Sequence, residues 1–325
     1  MKTRPDGLDD QQLRTALREF GIDATELGYA PVGHGDHHWT AVDRDGGRWF
    51  VTLADLAHKS HCGPEPESAF AGLRRAMDTA AALRALDLVV APVPAADGAS
   101  VLRLADPRYA LSVFPLVPGA AGGFGEALGP ADRSLLIAAL ARLHTTRPPA
   151  GIPVHHPDLS ARPRLEAALA DLDAPWSGGP YTGRVRELLA GHAPALRRRL
   201  AELDELVARP AGPRVVTHGE PHPGNLLRTP GCVRLVDWDT VALAAPERDL
   251  WLTGATDGDL AHYAALTGHT PDPGALALHR LRWALEDVDA YLHWFRSPHT
   301  DSEDARDSWA ALSGTVRELA VPAGG

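Results

Sequence analysis

Lysine is almost missing from this 325-residue chain: Lys2 and Lys59 are the only two, and every other basic side chain is an arginine or a histidine. Neither lysine follows a glycine, so there is no Gly-Lys-[Ser/Thr] phosphate loop. Cysteine is as scarce, and nothing in the setting of Cys62 and Cys232 suggests a disulfide framework. No apolar run approaches the roughly 18 residues of a membrane helix, and the N-terminus carries no apolar signal core. These absences set the expectation of a soluble, cytoplasmic protein without a membrane partner. Positive charge is short overall, with 32 Lys and Arg against 42 Asp and Glu, a net charge of −10. Such a balance argues against nucleic acid and suits a cationic small molecule.

What is present suits two lobes rather than one core. Residues 8–20 place Leu8, Leu13, Leu17 and Phe20 near helical spacing after an acidic start. Short strands are expected at 27–31 and 39–43, either side of Gly33-His34-Gly35-Asp36, and Asp45-Gly46-Gly47 reads as a hairpin turn before a β-rich run at 48–53. A helix over 69–86 and strands at 89–92, 101–105 and 109–114 complete an antiparallel sheet interrupted by one helix. Pro115, Pro118 and the glycine-rich stretch 119–129 break that pattern, which puts the expected lobe boundary between 115 and 116. Beyond it, helices are expected at 132–144, 164–172, 184–189, 195–207, 246–253, 260–266, 276–294 and 304–319. The expected class is α+β: a β-rich lobe over 1–115 and a mainly helical lobe over 116–325 with an embedded hairpin.

The densest chemistry lies in 214–251. A short strand through Val215 and Val216 runs into a loop with His218, Gly219, Glu220 and Asn225. After the turn Thr229-Pro230-Gly231, a second strand delivers Asp237, Trp238 and Asp239. Glu220 offers a proton acceptor for an attacking hydroxyl. Asn225 and Asp237 offer a neutral and an anionic oxygen, the ligands that Mg²⁺ takes at roughly 2.0–2.1 Å. A polar loop whose acids cap turns is the plainer account of the same residues. Zinc at His218, Glu220 and His222 is disfavoured, because Gly219, Pro221, Pro223 and Gly224 forbid the helix that would put the two histidines on one face. Gly33-His34-Gly35 either sets backbone N–H groups over phosphates or is only a hairpin turn.

Taken together, THGEPHPGN, the hairpin, LVDWD and PERDLW resemble the catalytic segment of the aminoglycoside phosphotransferase family, within the protein-kinase-like fold. The glycine loop, the strand at 49–53, the helix around Leu73, the SVFPLVPG hinge and the LARLH helix follow in the family's order, so the resemblance covers nearly the whole chain. It implies a bilobal fold and in-line transfer of a γ-phosphoryl group to a hydroxyl. It puts Glu220 where the family's catalytic aspartate stands, Asn225 and Asp237 at the two metal positions, His218 in support of the loop, Asp239 in an outer shell and Asp249 as the loop's anchor. ATP, with GTP left open, would set its adenine against Phe114 to Val117 and its phosphates beneath Gly33 and Gly35, with Mg²⁺ as cofactor.

Two departures stand out. Position 220 carries Glu, one methylene longer than Asp. The strand position that normally supplies a phosphate-binding lysine holds Thr52, so the cation falls to Lys59, seven residues on, or to an arginine. The helix at 69–86 has Asp78 as its only acid and no glutamate to pair with such a lysine.

The acceptor site is expected on the C-terminal helices, where Glu286, Asp287 and Trp283 put acids beside an aromatic, a setting suited to an aminated or cyclic substrate; a solvated helix face accounts for them equally. The acceptor is expected to be an antibiotic or related metabolite. The rivals are a catalytically weak nucleotide-binding homologue and a kinase of choline, homoserine or a sugar amine. The oligomeric state is not legible.

Overall fold

The computed structural model describes residues 1–321 apart from Asp6, His34, Ala105, Phe124 and Ala211. The chain forms two compact units, one of Met1–His155 with Pro213–Pro271, the other of His156–Gly212 with Asp272–Gly325. The expected boundary at 115/116 thus has the first unit on both sides.

The first unit opens with α1 (Asp10–Glu19), started by a reciprocal cap in which Asp9 accepts from the Gln12 backbone and the Gln12 side chain accepts from the Asp9 backbone. Its Leu13 and Leu17 are fully buried with Trp39, Val51, Leu111 and Val113 of the sheet. Three strands follow: β1 (Ala24–Ala30), β2 (His37–Asp43) and β3 (Arg48–Asp55). The turn before β3 is held by Asp43, whose carboxylate accepts from Asp45 N, Gly47 N and Trp49 Nε1. Then come a 3₁₀ turn at Leu56–His58, α2 (Pro66–Ala82), β4 (Leu102–Arg103), β5 (Tyr109–Pro115) and α3 (Pro130–His144). The five strands form one antiparallel sheet in the order β1-β2-β3-β5-β4.

Two expectations fail here. The strand at 89–92 shrinks to a bridge, in which Val90 N donates to Leu235 O and Leu235 N to Leu88 O. Helix α2 starts three residues earlier than expected and so contains Glu67, but that glutamate pairs with Arg103 rather than with a lysine.

The chain next builds α4 (Arg162–Ala170) and α5 (Thr182–Val207) in the second unit. Helix α5 runs unbroken through Pro194, where two helices were expected. Val185, Leu189, Ala193, Leu196, Leu200 and Leu203 share its buried face, and that continuous burial outweighs the roughly 3 kcal/mol cost of an internal proline. Back in the first unit are β6 (Val215–Thr217), β7 (Leu226–Thr229), β8 (Cys232–Leu235), β9 (Ala242–Ala244), α6 (Glu247–Leu250) and α7 (Asp257–Thr267). The second unit closes with α8 (Pro273–Arg296) and α9 (Glu303–Ala320), packed on α5 around Leu285, Val288, Phe295 and Leu312. Strand β9, which pairs antiparallel with β6, was not expected. Among the described residues, no helix is long and apolar enough to cross a membrane.

Candidate active site

Two strand pairs of the first unit carry the expected residues. Strand β6, held by β9, ends at Thr217 and hands the chain to His218, Gly219 and Glu220. The β7–β8 hairpin places Asn225 before its first strand and Asp237 after its second, and Val236 N donates to Asn225 O at 3.0 Å.

The loop between them is fixed by a buried carboxylate. Asp249 accepts from His218 N at 2.8 Å and Gly219 N at 2.6 Å, and its Oδ2 lies 3.0 Å from His144 Nε2. His144 in turn meets the Tyr263 hydroxyl at 2.7 Å. Burial pushes the Asp249 carboxyl up, but His144, Arg248 and His218 outweigh that and hold it below its ordinary value, so the anchor stays ionised. Gly219 has φ 104°, and a Cβ there would lie 2.4 Å from the Arg248 guanidinium. Only glycine fits that close approach. His218 sits edge-on to the buried Trp238 at 4.6 Å, and its Nε2 lies 2.9 Å from Val236 O. It props the loop against the next strand end.

Glu220 points its carboxylate into this setting, and among the described residues that carboxylate takes no hydrogen bond or ion pair. Burial, then the charge of Asp239, push its carboxyl up; His61, Arg248 and Lys59 pull the other way. A carboxyl moved toward neutral pH is a stronger proton acceptor once ionised. The Asn225 amide nitrogen donates to Glu220 O at 3.1 Å, which leaves the amide oxygen as its ligand atom.

Asp237 has φ 62°, the only positive φ outside glycine among the described residues. Backbone held in that region is costly and recurs where a side chain must be aimed. Next to it, Trp238 is fully buried and its Nε1 donates to Leu235 O, so the indole pins the turn while Asp237 stays exposed. Desolvation by the surrounding atoms, then the charges of Asp239, Asp36 and Glu220, push the Asp237 carboxyl well up, against the pull of Lys59. Because water reaches the carboxylate, the neighbouring charges are the firmer cause, and a cation would relieve them. Asn225 and Asp237 thus offer a hard-cation oxygen pair.

Lys59 is buried. Its Nζ donates to Asp239 Oδ2 at 2.6 Å and pairs with Asp36 Oδ2 at 2.8 Å. Burial alone would lower its pKa, yet Asp239, Asp36 and Asp237 raise it well above the ordinary value. The same lysine, with His61, holds Asp239 well below the usual carboxylate range despite burial. Asp36 was passed over in the sequence; it follows Gly35 directly and its Oδ1 is buried without a hydrogen-bond partner. The available signal was an acid next to a Gly-x-Gly turn in a chain with only two lysines.

A model of the phosphotransferase enzyme family matches residues 30–283. The chain belongs to that family. Protein StrN of Streptomyces griseus is 34% identical over 257 residues, 73% of each chain. Among solved structures, spectinomycin phosphotransferase APH(9)-Ia in complex with ADP and spectinomycin superposes with a TM-score of 0.74 at 17% identity, over 97% of this chain and 98% of that one. The microcompartment-associated aminopropanol kinase gives 0.61 at 19% identity, over 96% of each chain. These likenesses establish the α+β protein-kinase-like fold, and family membership makes the chain a small-molecule phosphotransferase.

The other residues expected in this phosphotransferase lie as follows. Gly33 and Gly35 have φ 72° and 92°, a loop that glycine permits; His34 lies outside the described residues. A Cβ on Gly33 would meet His38, which stacks on Phe50 and lies 3.2 Å from the Thr52 hydroxyl. Burial pushes His38 down to about 3, so it is neutral at pH 7. Phe114 is buried opposite Phe50 near the end of β5, and Val117 is half-buried two residues past that strand. Glu286, Asp287 and Trp283 lie on α8 of the second unit, where Glu286 is taken up by Arg282 at 2.6 and 2.8 Å and Asp287 accepts from Thr315 at 3.1 Å. The two acids are therefore not bare charges.

Proposed function

We propose that this phosphotransferase moves the γ-phosphoryl group of Mg·ATP to a hydroxyl of a small molecule. The observation that carries the reading is the convergence of Glu220, Asn225 and Asp237 from two strand ends beside a buried lysine drawn from the sheet side of the same unit. Glu220 accepts the proton of the attacking hydroxyl. Asn225 and Asp237 would hold Mg²⁺, which when bound neutralises phosphate charge. Lys59 supplies the cation that the strand lacks at Thr52, and the glycine loop at 33–35 covers the phosphates, with the base against Phe114 and Val117. In such chemistry positioning and charge neutralisation carry most of the catalysis.

For the acceptor we infer an antibiotic or a related metabolite, in keeping with the fold shared with an enzyme that takes spectinomycin. An amino alcohol is the second reading, favoured by the like fold of the aminopropanol kinase. The residues lining the acceptor side are assigned to α8, at Trp283, Glu286 and Asp287, with Arg282 sharing the charge of Glu286.

The test is ADP release across a panel of aminocyclitols, macrolides and amino alcohols, with the product mass read for one added phosphoryl group. Glu220→Gln should lower kcat by about 10²–10⁴, and Asp237→Asn should abolish Mg-dependent turnover. Turnover equal to wild type in both variants removes these residues from the mechanism.

A further inference from the structure

Just past the lysine, the loop after β3 brings a different donor set to Asp239. His61 Nε2 lies 3.0 Å from Asp239 Oδ2, and Cys62 Sγ lies 3.8 Å from the Asp239 carbonyl oxygen. One ligand atom each from His61, Cys62 and Asp239 fall within 4.8 Å of one another. Imidazole nitrogen, thiolate sulfur and carboxylate oxygen are the ligands of zinc-class ions, at about 2.0–2.3 Å from the metal. Magnesium, held by oxygens, has no use for the sulfur.

Two further observations favour an ion here. The imidazole of His61 is 41% exposed, which leaves an entry path, whereas the Asp239 carboxylate is 8% exposed and fixed. The backbone that carries Cys62 is also fixed: a Cβ on Gly72 of α2 would come within 1.9 Å of the Cys62 carbonyl oxygen. The glycine lets the helix close on this loop.

We propose that His61, Cys62 and Asp239 form a site for a borderline-soft divalent cation of the zinc class, with its fourth position open to solvent. It is separate from the oxygen pair Asn225 and Asp237, and an ion in it would oppose the ammonium of Lys59. The inference does not rest on the nucleotide reading, and it is tested without nucleotide.

The probe is Co²⁺ added to the full-length, metal-free protein. Wild type should show the near-ultraviolet thiolate-to-cobalt charge-transfer band at one ion per chain, and Zn²⁺ should bleach it. Cys62→Ala should lose the band, while Cys232→Ala, the other cysteine, should keep it. His61→Ala, with its fold checked by its melting midpoint, should bind at least about tenfold more weakly, no less than the loss of an outer-shell partner costs. Absence of the band in wild type overturns the proposal, as does a band that follows Cys232 or survives His61→Ala at unchanged affinity.

Discussion

Lys59 is held between two carboxylates inside the protein, and that arrangement fixes what its removal should do. Taking away one member of a buried ion set leaves the others uncompensated and costs about 3–5 kcal/mol. Lys59→Met therefore removes the cation proposed for the phosphates and also strands Asp36 and Asp239. Phosphotransfer should fall by about 10²–10³, the loss typical of one preorganised charge donor. The double variant Lys59→Met/Asp36→Asn should recover part of the lost stability and none of the activity, read by denaturant melts and ADP release on the same samples. A double variant no more stable than the single one would break the argument that Asp36 is the lysine's partner. Sequence alone could not reach this pairing. The side chains of Lys59 and Asp239 meet across 180 positions of chain, and no periodicity links them. The expectation that Glu220, Asn225 and Asp237 share one region was legible, because proline and glycine keep 219–224 out of an α-helix and the short apolar runs of β6 and β8 mark the strand ends beside them.

At the scale of elements, the helices whose apolar residues recur at 3.6-residue spacing were readable, as α1, α3, α8 and α9 show. What was not readable depends on distant partners: β9 is Ala-Leu-Ala with no signal of its own until β6 lies beside it, and Pro194 stops no helix whose buried face continues past it. Helix α7 offers a pH test at this scale. Thr256 caps its first turn, and Asp259 closes the cap by accepting from Thr256 N at 2.9 Å and Thr256 Oγ1 at 2.7 Å, while Arg133 Nε donates to it at 2.7 Å. Hydrogen bonds from Thr256, then Arg133, push the Asp259 carboxyl down to about 2. A carboxyl depressed in the folded state stabilises above its ordinary pKa and loses that contribution as pH falls toward the folded value. The melting midpoint should therefore drop between about pH 4 and 2, and Asp259→Asn should lower it at pH 7 and flatten its dependence across that window. A variant with an unchanged acid limb shows that other carboxylates set it.

For the whole molecule, the residues assigned to nucleotide and metal, from Gly33 and Lys59 to Phe114, Asn225 and Asp237, all belong to the first unit, whereas the acceptor residues on α8 belong to the second. The two substrates should consequently leave different marks on stability. A ligand that binds only the native state stabilises by about 2.7 kcal/mol at a hundred times its Kd, which on a unit of this size moves the midpoint by roughly 5–10 °C. Mg·ATP should raise the melting transition of the first unit, and where the units melt separately the second should stay in place. An acceptor that engages α8 should move the second transition. Asp237→Asn should shrink the nucleotide shift that depends on Mg²⁺, and Lys59→Met should shrink it with or without the metal. No shift with millimolar Mg·ATP sinks the nucleotide reading, and with it the weak-homologue alternative. A full shift without phosphorylation of any acceptor would instead make the chain a nucleotide-binding relative of its own family.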